Sequence, residues 1–330
     1  MAGVTAGAGL PVVVALGAVD PALVSGVLDG HCRLVAAPGD ADLAVAVGAI
    51  VRADARVDRA LLDRAPALQV IARTGVGVDL VDVPAATARG IAVVITPGAG
   101  AAAVAEGAIG MALHLVKRFG PLTALVREGR WAQRAGVSVG DLDGATLGVV
   151  GYGRIGQRTA ALGAALGMRV LAYDPVSEPP ADVRCASLGD LAARSDVISL
   201  HLPLNEQTRH IVDDALLARV RPGAVLVNCS RGGLVDTDAV WRALTTGRLS
   251  GVGLDVFDPE PPGPHPLYRH PDVVLTPHLM GLSRRATAAT FTAAARGVLD
   301  VLAGREPQAV ADPAWRTHAG PKEITHDQLC

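Results

Sequence analysis

The 330-residue chain predicts an α/β protein with two doubly wound parallel sheets, and three observations carry that expectation. Short runs of Val, Ile and Leu recur without polar alternation, as strands covered on both faces require. Longer Ala-rich stretches with helical spacing separate the runs, which implies parallel strands joined by crossover helices. The runs also fall into two series, one ending near Thr96 and the other starting at Thr146.

In chain order, the first series places strands at 12–16 (VVVAL), 43–47 (LAVAV), 70–73 (VIAR) and 92–95 (AVVI). The stretch 101–117 then reads as a helix long enough to pass from one domain to the next. The second series places strands at 147–150, 170–172, 197–200, 225–228, 252–255 and 273–276, with helices at 155–166, 215–219 and 237–246. A last helical pattern, 283–303, brings the chain back to the first domain. The first domain is therefore expected to be discontinuous (1–100 and 284–310) with the second (101–283) inserted. Residues 311–330 are polar with little periodicity and read as a mobile tail.

Half the residues are hydrophobic and 19% charged, the balance of a folded chain rather than a disordered one. A formal charge of −2 and 3% aromatic residues give no footprint for nucleic acid. Cys32, Cys185, Cys229 and Cys330 lie far apart without a CxxC pair. That spacing suits reduced cytoplasmic thiols and offers no metal framework. The apolar patch near the start lacks a preceding basic residue and reads as a first strand, not a signal peptide. No apolar run approaches the roughly 18 residues that span a membrane. A cytoplasmic protein acting on a small molecule is expected.

The stretch GVVGYGRIGQRTAALGAALGMRVLAYD, 148–174, narrows this further. Gly151 permits a tight turn out of a strand, Gly153 lets a pyrophosphate approach the backbone, and Gly156 lets a helix pack on the strand. The pyrophosphate would sit at the helix N-terminus, among free N–H groups and the positive dipole end. Asp174, 18 residues beyond Gly156 at the end of the next strand, is placed to accept from ribose hydroxyls and to repel a 2′-phosphate. Pro175, Val176 and Ser177 follow it with no basic residue, so NAD is expected over NADP. The bland alternative is a glycine turn in an ordinary α/β domain.

Three further clusters fall at strand ends: NCSRGGLVDTDAV (228–240), GLDVFDPEPP (253–262) and TPHLMG (276–281). Strand C-termini line the crevice of an open parallel sheet, so Arg231, Glu260 and His278 could converge there. Together they suit hydride transfer to or from an oxygen-bearing carbon. His278 would carry the proton, Glu260 would favour the imidazolium, and Arg231 would bind an α-carboxylate and polarise the adjacent carbonyl. Singly, each also reads as a surface, capping or solvated loop residue.

At these residues the chain resembles the D-isomer-specific 2-hydroxyacid dehydrogenases, from about Leu43 to Arg305. The likeness rests on RTGVGVDLVDVPAATARGIAV, VAEGAIGMAL, GYGRIG, DVISLHLPLNEQT, NCSRGGLVD, GLDVFDPEP and TPH. It implies a Rossmann NAD-binding domain inserted in a smaller flavodoxin-like substrate domain, and a small anionic 2-oxo or 2-hydroxy acid as substrate. Arg231, Glu260 and His278 match the family's substrate arginine and Glu–His relay. Gly75, Val76 and Gly77 match the loop that receives the substrate carboxylate. Arg154 and Ile155 match residues whose N–H groups face the pyrophosphate, while His201, Pro203 and Thr208 match the adenine side. Asp255 matches the acceptor for the nicotinamide carboxamide, with Cys229 beside that ring. The resemblance also implies a homodimer through the NAD-binding domain, with Trp131 at the contact; a core aromatic is the alternative there.

The chain departs from the family at Leu80, Ile95, Gly100 and Ala103, where polar residues are common, and at Leu279 and Met280, which add bulk after His278. Arg52 and Arg73 could hold a second anionic group. Formate dehydrogenases place glutamine where Glu260 stands, and phosphite dehydrogenases place lysine where Val76 stands. A nucleotide-sensing corepressor is the reading from a different class.

Overall fold

The computed structural model describes residues 9–318 and divides them into two compact units, the boundaries falling at Gly100/Ala101 and Ser283/Arg284. In the first unit five parallel strands run in the order β2-β1-β3-β4-β5. They are β1 (Val12–Leu16), β2 (Arg33–Val35), β3 (Ala46–Val51), β4 (Val70–Arg73) and β5 (Ala92–Val94). This 2-1-3-4-5 order reverses between β1 and β3, the point where such sheets open a crevice at their strand C-termini. One face packs on the helix Arg284–Leu302 through Phe291, Ala294, Ala295 and Val298. The other packs on short helices through Leu43, Leu62 and Ala86. Burial on both faces is why the strands carry no polar alternation.

Two expectations fail here. The apolar run at 43–47 is not a strand: residues Asp40–Val45 form a helix, and the strand begins at Ala46. The Asp42 carboxylate accepts from the Gly39 N–H (3.0 Å), and Asp40 and Asp42 both sit in the first turn, where the helix dipole favours acids. Nor do residues 311–318 run as a loose tail. Val310 bridges antiparallel to Val94, the Ala311 N–H donates to the Val93 carbonyl, and Thr87 Oγ1 donates to Asp312. A short helix, Trp315–His318, follows, and residues 319–330 lie outside the described residues. Lone apolar residues such as Val310 give no periodicity, so an edge pairing of this kind leaves no sequence signal.

The second unit holds β6 (Thr146–Val150), β7 (Arg169–Tyr173), β8 (Val197–Leu200), β9 (Ala224–Asn228), β10 (Leu249–Leu254) and β11 (Val273–Leu275). All are parallel, in the order β11-β10-β9-β8-β6-β7. Residues 183–185 run beside β7: the Ala172 N–H donates to the Val183 carbonyl and the Cys185 N–H to the Ala172 carbonyl. They form a rudimentary outer strand, so the chain order reverses between β6 and β8. The helix Ala101–Val116 buries Ala108, Ile109, Met111, Ala112 and Leu115 against this sheet. Among the described residues no single helix is long and apolar enough to cross a membrane.

Candidate active site

β6 delivers the chain into Gly151 at φ +96°, a conformation that side chains resist. A Cβ there would also lie 2.7 Å from the His201 carbonyl carbon, so β6 and β8 emerge side by side only with glycine in place. A Cβ on Gly156 would sit 2.0 Å from the Gly151 carbonyl oxygen. Glycine therefore lets the first turn of the helix Arg154–Ala165 rest on the loop it leaves. No side chain caps that helix, and a Cβ on Gly153, its N-cap, would meet nothing within 4 Å. An uncapped N-terminus facing open space offers N–H donors and positive potential to a pyrophosphate. Arg154 and Ile155 occupy its first turn.

Asp174 follows β7 and ties this loop together. Its Oδ2 accepts from the Tyr152 N–H (2.7 Å), and its Oδ1 accepts from the N–H groups of Val176 (2.8 Å) and Ser177 (2.9 Å). Partial burial pushes its pKa up, but the backbone donors of Ser177, Tyr152 and Val176 outweigh that, and the net shift is downward. The anion keeps acceptor capacity for hydroxyl groups, since a carboxylate offers about four lone-pair sites.

His201 follows β8. Its Nε2 lies 3.0 Å from Ser199 Oγ, and its Nδ1 is buried without a hydrogen-bond partner. Burial lowers its pKa from 6.5 to about 4, so the ring is neutral near pH 7. As pH falls through 6.5 the unfolded chain takes up this proton before the folded one does. The associated stability is full above that value and is lost as pH falls toward about 4. The Tm of His201→Asn should therefore fall less steeply than wild type between pH 6.5 and 4.5; parallel curves would contradict this. Thr208 is buried, and its hydroxyl donates to the Pro203 carbonyl (2.7 Å) and accepts from the Asn205 N–H (2.8 Å). It shapes the loop that presents exposed Pro203.

Three neighbouring strand ends bring Arg231, Glu260 and His278 to one side of the sheet. Asn228, fully buried at the end of β9, donates from Nδ2 to the Arg231 carbonyl (2.8 Å) and accepts at Oδ1 from the Ser230 N–H (3.0 Å). Beyond Arg231, a Cβ on Gly232 would lie 2.0 Å from the Phe257 carbonyl carbon, so the backbones of these two loops touch. The Phe257 N–H in turn donates to Glu260 Oε1 (3.0 Å), while Glu260 Oε2 meets His278 Nδ1 at 2.8 Å. His278 sits at φ +55°, its N–H donating to the carbonyls of Asp255 (2.7 Å) and Thr276 (3.0 Å). With Nδ1 held by a carboxylate, Nε2 is the nitrogen that can exchange a proton with a ligand.

Asp255 and Cys229 perform tasks the sequence did not suggest. Asp255 is buried, and its carboxylate accepts from Thr276 Oγ1 (2.6 Å) and from the N–H groups of Leu279 (2.9 Å) and Met280 (3.1 Å). It clamps the turn that carries His278. Cys229 turns inward, its Sγ 3.9 Å from Met111 Sδ. Burial, reinforced by the Asp255 carboxylate, pushes its thiol up to about 12, which makes it an unreactive core residue.

In the first unit, Arg52 follows β3 at that sheet's reversal point. Its guanidinium lies over the Phe291 ring, 5.8 Å from the centroid, and its Nε is buried without a hydrogen-bond partner. Arg73 is only 6% exposed, and donates from Nε to the Gly77 carbonyl (2.8 Å) and from Nη1 to the Val51 carbonyl (3.1 Å). It organises the loop holding Gly75, Val76 and Gly77 instead of offering these two nitrogens to an anion. Val76 is exposed in that loop. Trp131, in the second unit, is 61% exposed with Arg134 stacked on it, so it is not a core aromatic.

Residues 109–280 match the family described as D-isomer specific 2-hydroxyacid dehydrogenase, NAD binding domain. The chain is 41% identical over 276 residues to a D-3-phosphoglycerate dehydrogenase of Mycobacterium tuberculosis H37Rv, covering 82% of this chain and 51% of that protein. It is 39% identical over 235 residues to a hydroxypyruvate reductase of Thermotoga maritima, covering 70% and 76% respectively. The solved D-lactate dehydrogenase of Aquifex aeolicus, complexed with NAD and lactic acid, superposes with a TM-score of 0.78 at 29% identity, over 89% of this chain and 96% of that one. The chain spans about half the length of the phosphoglycerate dehydrogenases it matches.

Proposed function

This chain belongs to the D-isomer specific 2-hydroxyacid dehydrogenase family, and from that premise we propose that it is an NAD-dependent reductase of a small 2-oxo acid. The observation that carries the reading is the 2.8 Å contact of His278 Nδ1 with a Glu260 whose other oxygen is fixed by the Phe257 N–H. A proton carrier needs that fixed orientation.

Bound NAD(H) supplies or accepts the hydride. The backbone at Gly151, Gly153, Arg154, Ile155 and Gly156 fits a pyrophosphate, and Asp174 fits a ribose diol while disfavouring a 2′-phosphate. Arg231 binds the substrate carboxylate and draws electron density toward the carbonyl oxygen. His278 gives its Nε2 proton to that oxygen during reduction and takes it back during oxidation. Glu260 holds the ring at Nδ1, leaving Nε2 to face the substrate. In the first unit, the backbone of Gly75, Val76 and Gly77 is the candidate for receiving a carboxylate, and Arg52 is the candidate for a second anionic group. Exposed Trp131, together with Phe119, Val126 and Val139, supports a homodimer through the NAD-binding domain. Cytoplasmic action is part of the same proposal.

NADH oxidation assayed against glyoxylate, pyruvate, hydroxypyruvate, phenylpyruvate and phosphonopyruvate tests this reading. Turnover of at least one acid is expected. A protein that binds NADH and reduces none of them favours the sensor reading over the reductase.

A further inference from the structure

Resting on the proton-carrying role of His278, we infer that Gly107 and Met280 form a slot and knob that fix the His278 turn, with Met280 a positioning residue for proton transfer. Gly107 lies inside the helix Ala101–Val116, where glycine weakens the helix and calls for a reason. The reason is Met280. A Cβ at position 107 would lie 2.5 Å from Met280 Sδ, 2.8 Å from its Cγ and 2.9 Å from its Cβ. The sulfur could swing aside, but the Met280 Cβ moves only with its backbone. An added methyl must therefore displace the main chain at 280 or the helix itself.

That main chain is shared with His278. The Met280 N–H donates to Asp255 Oδ2, while Thr276 Oγ1 and the Leu279 N–H meet Asp255 Oδ1. These contacts bracket His278, a non-glycine residue at φ +55°, which such a conformation keeps only where its surroundings over-determine it. A push at 280 is thus transmitted to the imidazole two residues away. From sequence, Met280 reads as bulk beside His278. The structure instead lodges its side chain on the helix, packed with Val104 and Met111 in the core cluster. The slot is local: a Cβ on Gly110 in the same helix would meet nothing within 4 Å.

The full chain is assayed as Gly107→Ala, Met280→Gly, the double variant and Gly110→Ala, with kcat, KM and NADH affinity measured for each. Gly107→Ala should lose kcat by about 10- to 100-fold, the scale of a misplaced catalytic group, with NADH affinity unchanged and KM altered far less than kcat. Met280→Gly should lose only a few-fold, the double variant should recover to that level, and Gly110→Ala should match wild type. A Gly107→Ala chain that fails to fold, beside a double variant that folds and turns over, reports the same clash. The inference is overturned by wild-type kcat in Gly107→Ala, or by a double variant no better than the single one. His278→Ala separates the premise from the inference. If that variant is inactive while Gly107→Ala is normal, only the coupling fails; if it turns over normally, the premise itself fails.

Discussion

Replacing His278 with alanine is expected to lower kcat by about 10²- to 10⁴-fold, the range that a positioned acid–base group contributes, while leaving NADH affinity unchanged. The imidazole is 42% exposed and anchored through Nδ1 to Glu260, so its removal opens no core cavity. The loss should therefore appear in turnover and not in Tm. Steady-state kinetics with NADH and any 2-oxo acid that is reduced, together with a thermal melt, make the check. A variant with wild-type kcat would remove His278 from the chemistry and leave Glu260 without a partner to orient.

The second large effect is expected at the glycine turn. In Gly156→Ala the new methyl would lie 2.0 Å from the Gly151 carbonyl oxygen and 3.2 Å from Val149 Cγ1. The first of these is backbone, with no rotamer to relieve it. The first turn of the helix Arg154–Ala165 must lift from the loop, and the N–H groups proposed to hold a pyrophosphate move with it. Overpacking of this kind costs about 1–3 kcal/mol of stability. Loss of aligned donors to a charged group adds a weakening of NADH binding by about 100-fold, or about 2.7 kcal/mol. Fluorescence titration with NADH reads the second effect directly. Binding within two-fold of wild type would contradict it.

What the sequence made legible follows from which contacts are local. Strands buried on both faces show as uninterrupted apolar runs, so 12–16, 70–73 and 197–200 coincide with β1, β4 and β8. The three-residue edge strand β2, with exposed Arg33, is too short and too polar to leave such a run. At 43–47 the apolar run misled because the deciding signal lay upstream, in the acids of the first helical turn. The spacing of Gly151, Gly153, Gly156 and Asp174 was legible because a strand–turn–helix unit is local. The working partners of Arg73, Asp255 and Met280 were not, since each is fixed by neighbours distant in sequence: Val51 for Arg73, Thr276 for Asp255, Gly107 for Met280. Asn228, a polar residue closing an apolar strand, did carry a signal, because a buried amide must find partners.

The proposed chemistry rests on Arg231 and His278 acting on one small acid. The most direct measurement is the separation between His278 Nε2 and the carbonyl oxygen of oxamate, a 2-oxo acid analogue, in a crystal of the protein with NADH. The expected result is a hydrogen bond of roughly 2.6–3.2 Å, with the oxamate carboxylate on the Arg231 guanidinium. Oxamate bound with its carbonyl oxygen turned away from His278, or its carboxylate held by other groups while Arg231 stands apart, would contradict the proposed mechanism.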